Sequence, residues 1–247
     1  MILNPPIYYL QAIMGILDSL TVVSLYDEMP FFIDKLREIE RDDYPNDFVI
    51  FVRAHIFLYD FSRVFNKGDF DAAALLINKY EDNLFKKITL LGIDMQLRLL
   101  RSLTILNIST GNLSNARKNM RKIIGSGKLF YVLPTYRHVR LLNLILQAEL
   151  ENYDFFENEI KSIKRSIRFE NQVYATERLL FKFVQNYHLF KQEKARVKML
   201  RQLEKETVKI NHNKYEQQLL TVFDFLSWME SKLTKRKFSD ILAEKNK

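Results

Sequence analysis

Apolar residues recur at spacings of three and four along most of the chain, in long runs interrupted by short polar clusters. That period belongs to helices that bury one stripe. Residues 7–23 read as a first helix, apolar nearly all round through Ile7, Tyr8, Leu10, Ile13, Met14, Ile16, Leu17 and Leu20. A helix with no polar face expects neighbours on several sides, so it reads as buried, and the chain as the C-terminal part of a longer array. Pro30 then opens a helix to about Glu40, with Phe32, Ile33, Leu36 and Ile39 as its stripe. Asp42-Asp43-Tyr44-Pro45-Asn46-Asp47 is a polar break. Residues 48–66 form the next helix, closed by Lys67-Gly68, and its partner runs from Asp69 to about Lys87. The pattern returns over 89–109, ending at Gly111, and again over 134–150 and 172–187. A last helix is expected over about 213–234, with Tyr215, Leu219, Val222, Leu226, Met229 and Leu233 on one stripe. Lys235-Arg236-Lys237 then opens a basic polar tail, 235–247, with only a weak helical pattern at Phe238, Ile241 and Leu242.

The helices pair, and the pairs repeat. Aligned on the residue five positions after the start of each turn, the chain marks Met29, Ala73, Ala116, Phe156 and Ala195, at separations of 44, 43, 40 and 39. The tight turns are Gly68-Asp69-Phe70, Gly111-Asn112-Leu113 and Glu151-Asn152-Tyr153. A period near 40 residues built of helical pairs predicts an α-solenoid, because a single hairpin cannot bury both its faces and stacked neighbours supply the core.

Gly68-Asp69-Phe70 with Ala73, and Gly111-Asn112-Leu113 with Ala116, resemble the tetratricopeptide (TPR) turn, a glycine followed five residues later by alanine. The period exceeds the family's usual length, and Met29 and Phe156 replace the alanine. More closely, Tyr136-Arg137-His138-Val139-Arg140-Leu141-Leu142-Asn143-Leu144, Lys164-Arg165-Ser166 and Thr176-Glu177-Arg178-Leu179-Leu180 resemble a group of bacterial TPR-like proteins of unassigned function, over about residues 7–210. The resemblance implies an all-α fold: a right-handed α-solenoid of about five TPR-like hairpins plus a C-terminal capping helix, occupying 1–234 as one domain. It also implies a scaffold role rather than an activity.

Composition agrees with helices. Six glycines and five prolines leave long segments without a breaker, and the absence of cysteine excludes disulfides and thiolate chemistry. Residues 1–17 carry no charge, but no Lys or Arg precedes the apolar part, Pro5-Pro6 sits where a charged leader would be, and the apolar part is too short to span a bilayer, so neither a signal peptide nor a membrane span is expected and a cytoplasmic protein is. Net charge is +8 and uneven: 11 Lys/Arg against 15 Asp/Glu over 1–112, 20 against 10 over 113–209, and 7 against 5 over 210–247. A basic centre attracts acidic partners.

No catalytic motif is visible. His55, His138, His188 and His212 lack metal-ligand spacing, and Gly125-Ser126-Gly127-Lys128 follows a helix and reads as its C-cap, not a phosphate loop. A non-enzymatic protein without cofactor or metal is expected. Basic pairs stand out on three successive first helices: Arg98 with Arg101, Arg137 with Arg140, Arg178 with Lys182. Each pair shares a helix face. In TPR solenoids first helices line the concave surface, so the resemblance puts these cations near a groove where an arginine fork could hold a carboxylate of an acidic peptide. Asn107, Gln147 and Asn186, at separations of 40 and 39, form a second ladder that either grips a peptide backbone or bonds neighbouring helices and turns. The second helices are basic as well, through Arg117, Lys118, Arg121 and Lys122, then Lys161, Lys164, Arg165 and Arg168, then Lys191, Lys194, Arg196, Lys198 and Arg201. Their alternative use is a salt-sensitive nucleic-acid surface.

Overall fold

Left-handed residues punctuate the chain where the repeat alignment places turn starts. In the computed structural model, which describes residues 5–126, 128–131, 133, 135–170 and 174–246 (side chains at 128, 129, 166–170 and 214 excepted), Ser24, Gly68, Gly111 and Glu151 all have positive φ. Each follows a helix whose last carbonyls it helps to satisfy, as in the bonds from Asp69 N to Val64 O (3.0 Å) and from Asn152 N to Gln147 O (2.9 Å). Gly68 and Gly111 adopt this conformation without a Cβ penalty, whereas Ser24 and Glu151 carry it. The residue five further on is buried in four turns, at Met29, Ala73, Ala116 and Phe156. The fifth turn differs: a 3-10 segment, Tyr187–Lys191, replaces the left-handed residue, and Ala195 is half-buried.

All described elements are helical, and no strand occurs among the described residues. The helices are α1 (Ile7–Val22), α2 (Met29–Ile39), α3 (Asn46–Asn66), α4 (Phe70–Tyr80), α5 (Ile93–Ser109), α6 (Leu113–Gly125), the short α7 (Lys128–Tyr131), α8 (Tyr136–Glu149), α9 (Phe155–Glu170), α10 (Ala175–Gln185), α11 (Glu193–Asn211), α12 (Lys214–Leu220), α13 (Phe225–Thr234) and α14 (Phe238–Lys245). Asp69 and Asn112 cap the second helices of their pairs, accepting from Ala72 N and Asn115 N. The segment expected to be helical to Lys87 stops at Tyr80 and resumes as a 3-10 turn, Phe85–Leu90; the Asn83 carbonyl between them accepts from Arg53 Nη1 (3.2 Å). Residues 172 and 173 of the expected 172–187 helix, and Gly127, lie outside the described residues.

Packing follows the pairing. Within pairs, α1 meets α2, α3 meets α4, α5 meets α6, α8 meets α9 and α10 meets α11. Between pairs, α1 meets α3, α3 meets α5, α5 meets α8 and α8 meets α10, so first helices lie side by side in chain order. One contiguous hydrophobic core runs through all of them. α1 is less covered than its composition predicts. It buries Leu10, Ile13 and Leu17, while Ile7, Tyr8, Tyr9 and Ile16 face solvent, because among the described elements only α2 and α3 make substantial contact with it.

The C-terminal region departs from expectation twice. The single helix expected over 213–234 is two, α12 and α13, broken at Thr221-Val222-Phe223-Asp224. Asp224 causes the break by capping α13, accepting from Ser227 N (3.0 Å) and Ser227 Oγ (2.7 Å), while Phe223 and Phe225 pack edge to face in the core. Tyr215 is consequently half-exposed, off the expected stripe. The supposed polar tail folds as α14, with Phe238, Ile241 and Leu242 buried. The Phe238 ring lies 5.8 Å from Phe70 and 6.3 Å from Phe65, and Asn246 Nδ2 donates to the Asn66 carbonyl (2.8 Å). The approach is so close that a Cβ on Gly68 would lie 2.2 Å from the Ser239 carbonyl oxygen. α13 meanwhile sets Trp228 against the turns of the fourth and fifth pairs: its Nε1 donates to Glu149 Oε1 (2.9 Å), and its ring stacks on Tyr187. The C-terminal helices thus strap the row of turns, from the fifth pair back to the second.

Candidate interaction face

The side-by-side first helices share a continuous row of polar side chains. It starts where the Tyr59 hydroxyl of α3 donates to Asp18 of α1 (2.8 Å); burial, with Asp18 beside it, pushes the Tyr59 phenol up. Next to it His55 is buried, its Nδ1 donating to the Phe51 carbonyl (2.9 Å), and burial lowers its pKa. On α5 Asp94, Arg98 and Arg101 occupy one face. Arg98 Nε donates to Asp94 Oδ2 (2.8 Å), and Thr135, just before α8, reaches the other oxygen of Asp94 (3.4 Å). Asp94 is therefore engaged from both sides.

Arg101 is different. It is half-buried and makes no hydrogen bond or ion pair among the described residues. Burial first, and Arg98 second, lower its pKa to about 10 against the pull of Asp94, so it remains a guanidinium at neutral pH. Beside it on α8 stands His138. Burial, then the charges of Arg101 and Arg137, lower its pKa to about 3, so the ring is neutral. Its Nδ1 is enclosed and has no hydrogen-bond partner among the described residues.

The remaining basic residues are occupied. Arg137 Nε and Nη2 donate to the two carboxylate oxygens of Glu177 on α10 (2.6 Å each), and its guanidinium lies 4.8 Å over the Tyr174 ring. Glu177 is wholly buried, so the fork is part of the α8–α10 junction. Arg140 turns to its own pair's second helix and donates to Glu159 (2.8 Å). Lys182 likewise reaches Gln202 on α11 (2.7 Å), and Arg178 is exposed. The basic pairs do not form one ladder: the structure brings Arg98, Arg101 and Arg137 to the polar row and sends Arg140 and Lys182 into their own hairpins.

The amide ladder bonds its own surroundings. Asn107 and Asn186 donate to the carbonyls four residues back, Leu103 and Lys182 (2.7 Å each). Gln147 donates to Asn143 (3.2 Å) and accepts from Asn152 in the turn (2.9 Å). On the second helices, Arg117, Lys118, Arg121 and Lys122 of α6 are exposed and make no ion pair among the described residues, and the same holds for Lys194, Lys198 and Arg201 of α11. Lys161 pairs with Glu157, and the side chain of Arg168 lies outside the described residues.

Sequence reasoning missed the acids. Asp94 stands four residues before Arg98, a helical ion-pair spacing that was readable. Glu177 and Glu159 meet arginines 40 and 19 positions away, and no local signal marks them. No cluster of His, Asp and Glu fit to hold a metal occurs among the described residues. No described helix is long and apolar enough to cross a membrane. No family model matches this chain, and neither a curated protein nor a solved structure matches it significantly.

Proposed function

We propose that the protein is a non-enzymatic protein–protein interaction scaffold: a TPR-like, right-handed α-solenoid of about five hairpins, cytoplasmic and bacterial, that binds an acidic peptide or protein segment along a groove lined by its first helices. The observation that supports this reading is Arg101, a partly exposed cation on the shared face of adjacent first helices that makes no hydrogen bond or ion pair among the described residues. Stacked pairs offer an extended surface, and a basic, half-buried anchor selects an acidic occupant. The test is affinity capture from native lysate with the wild-type chain and with a double Arg101→Glu, Arg178→Glu variant, both after nuclease treatment. A discrete protein captured by the first and lost from the second is the expected result. An identical set of captured proteins overturns the groove.

A second reading has its own support. α6 carries four cations with no ion pair among the described residues, and no acidic residue, so its outer surface suits a phosphate backbone. Binding to duplex DNA or RNA that weakens steeply with salt is its expected signature, and absence of binding at low salt ends it.

A further inference from the structure

We infer that the cleft between α11, α13 and α14 docks a short protein segment that is both basic and apolar, a second surface apart from the first-helix face and of opposite charge preference. The cleft has a volume of about 550 Å³. That lies within the roughly 300–1,000 Å³ of ligand sites. Its floor is apolar, with Leu203, Leu226 and Ile241 buried beneath it. Its rim is open to solvent, where Glu204, Asn211 and Glu244 are exposed. The lining runs from Leu200 to Asn211 along α11 and from Leu226 to Thr234 along α13, about 16 and 12 Å at the helical rise per residue. An extended chain of about four or five residues has that length.

Charge selects the occupant. Three acids line the cleft, Glu204, Glu230 and Glu244, against one base, Lys245. Lys245 is engaged elsewhere, donating to Asp224 Oδ2 (2.6 Å), and Glu244 accepts from Arg236. The carboxylates of Glu204 and Glu230 make no hydrogen bond or ion pair among the described residues. Arg201, three positions before Glu204, does not pair with it. Two uncompensated carboxylates therefore stand over an apolar floor, in a chain whose net charge is +8. A lysine or arginine answers both features, because its aliphatic stem covers apolar surface while its head pairs with a carboxylate. An acidic segment is repelled, and a purely apolar one would shield the carboxylates from water without pairing them. No group of acids and histidines fit to hold a metal occurs among the described residues, so the acids suit separate cationic side chains better than one shared ion.

The test uses the full chain, labelled with nitrogen-15, and reads the backbone amides of Thr207, Ser227 and Glu230. The probe is acetyl-Gly-Leu-Lys-Leu-Lys-Gly-amide. Its comparators are acetyl-Gly-Leu-Glu-Leu-Glu-Gly-amide, acetyl-Gly-Gly-Lys-Gly-Lys-Gly-amide and spermidine. Saturable shifts with the probe are expected, with each comparator weaker by about tenfold or more. A double Glu204→Gln, Glu230→Gln variant should weaken the probe by a similar factor. Glu193→Gln, which removes a carboxylate from the same helix outside the cleft, leaves binding unchanged. Burial first, and Asp224 and Glu244 against the pull of Arg236 and Lys245, raise the pKa of Glu230, so its charge opposes the fold. The double variant should therefore melt no lower than the wild type. No saturable shift with the probe, an equal response to the acidic peptide, to the peptide without leucine or to spermidine, equal weakening by Glu193→Gln, or a lower melting temperature for the double variant each overturn the proposal. Arg101→Glu leaves the probe's binding unchanged, so failure here and failure of the acidic-segment groove are told apart.

Discussion

Replacing Gly68 by alanine tests the strap directly, and Gly111→Ala supplies its control. Both glycines sit in the left-handed region, at φ 79° and 75°, so each substitution carries the same backbone strain, about 1–2 kcal/mol. Their surroundings differ. A Cβ at Gly111 meets nothing within 4 Å, whereas one at Gly68 lies 2.2 Å from the Ser239 carbonyl oxygen and 3.2 Å from Ala243 N. Both of those atoms are backbone, so no side chain can swing aside and α14 as a whole must move. Phe238, Ile241 and Leu242 are buried by that helix, each contributing roughly 1.5–3 kcal/mol when fully covered, offset by the entropy of ordering the segment. A net loss of about 2 kcal/mol beyond the control is expected. For a chain of this size that lowers the melting temperature by about 4–8 °C more in Gly68→Ala than in Gly111→Ala. Trypsin should also cut faster at Lys235, Arg236 and Lys237 in Gly68→Ala only. Equal melting temperatures and equal cleavage would refute the docking of α14 on this turn.

Ala116→Leu should destabilise by about 1–3 kcal/mol in urea unfolding, because Ala116 is fully buried where α6 meets α5 and leucine brings three more carbons into that contact. Ser24→Gly should stabilise by about 0.5–1 kcal/mol, since serine holds φ 59° there; an unchanged midpoint would mean that the residue carries no strain. Acid should weaken the fold through its histidines. The folded state keeps His138 neutral, with a pKa of about 3, and lowers that of His55 too, so the unfolded chain binds more protons as pH falls through about 6.5. Their stabilisation is complete above that pH and is lost below it. Between pH 7.5 and 5.5 His138 alone should account for about 1.4 kcal/mol, read as the difference in pH dependence between wild type and His138→Gln in urea titrations.

Much of the helical pattern was legible because it is written locally. The period of apolar residues located the paired helices, and the spacing of Met29, Ala73, Ala116 and Phe156 put the turns in register. That register held even at Ser24 and Glu151, where no glycine announces a left-handed residue, because the buried position five residues on marks the turn as well. The candidate face was legible only in part. The basic residues could be named and placed on first helices, but which of them keeps its charge free depends on acids brought from elsewhere: Glu159 from the partner helix, Glu177 from the next pair.

The sequence alone therefore determined helix against strand, the pairing of neighbours and the sign of the surface charge, since each follows from residues within a few turns of one another. The tertiary structure alone decided three things. It turned the apparent tail into a strap, because Phe238 finds its partners at Phe65 and Phe70, far back along the chain. It left one face of α1 open, because coverage is set by how many helices arrive and not by how apolar the helix is. And it singled out Arg101, because an ion pair requires two groups within a few ångströms, a distance that only the packed fold defines.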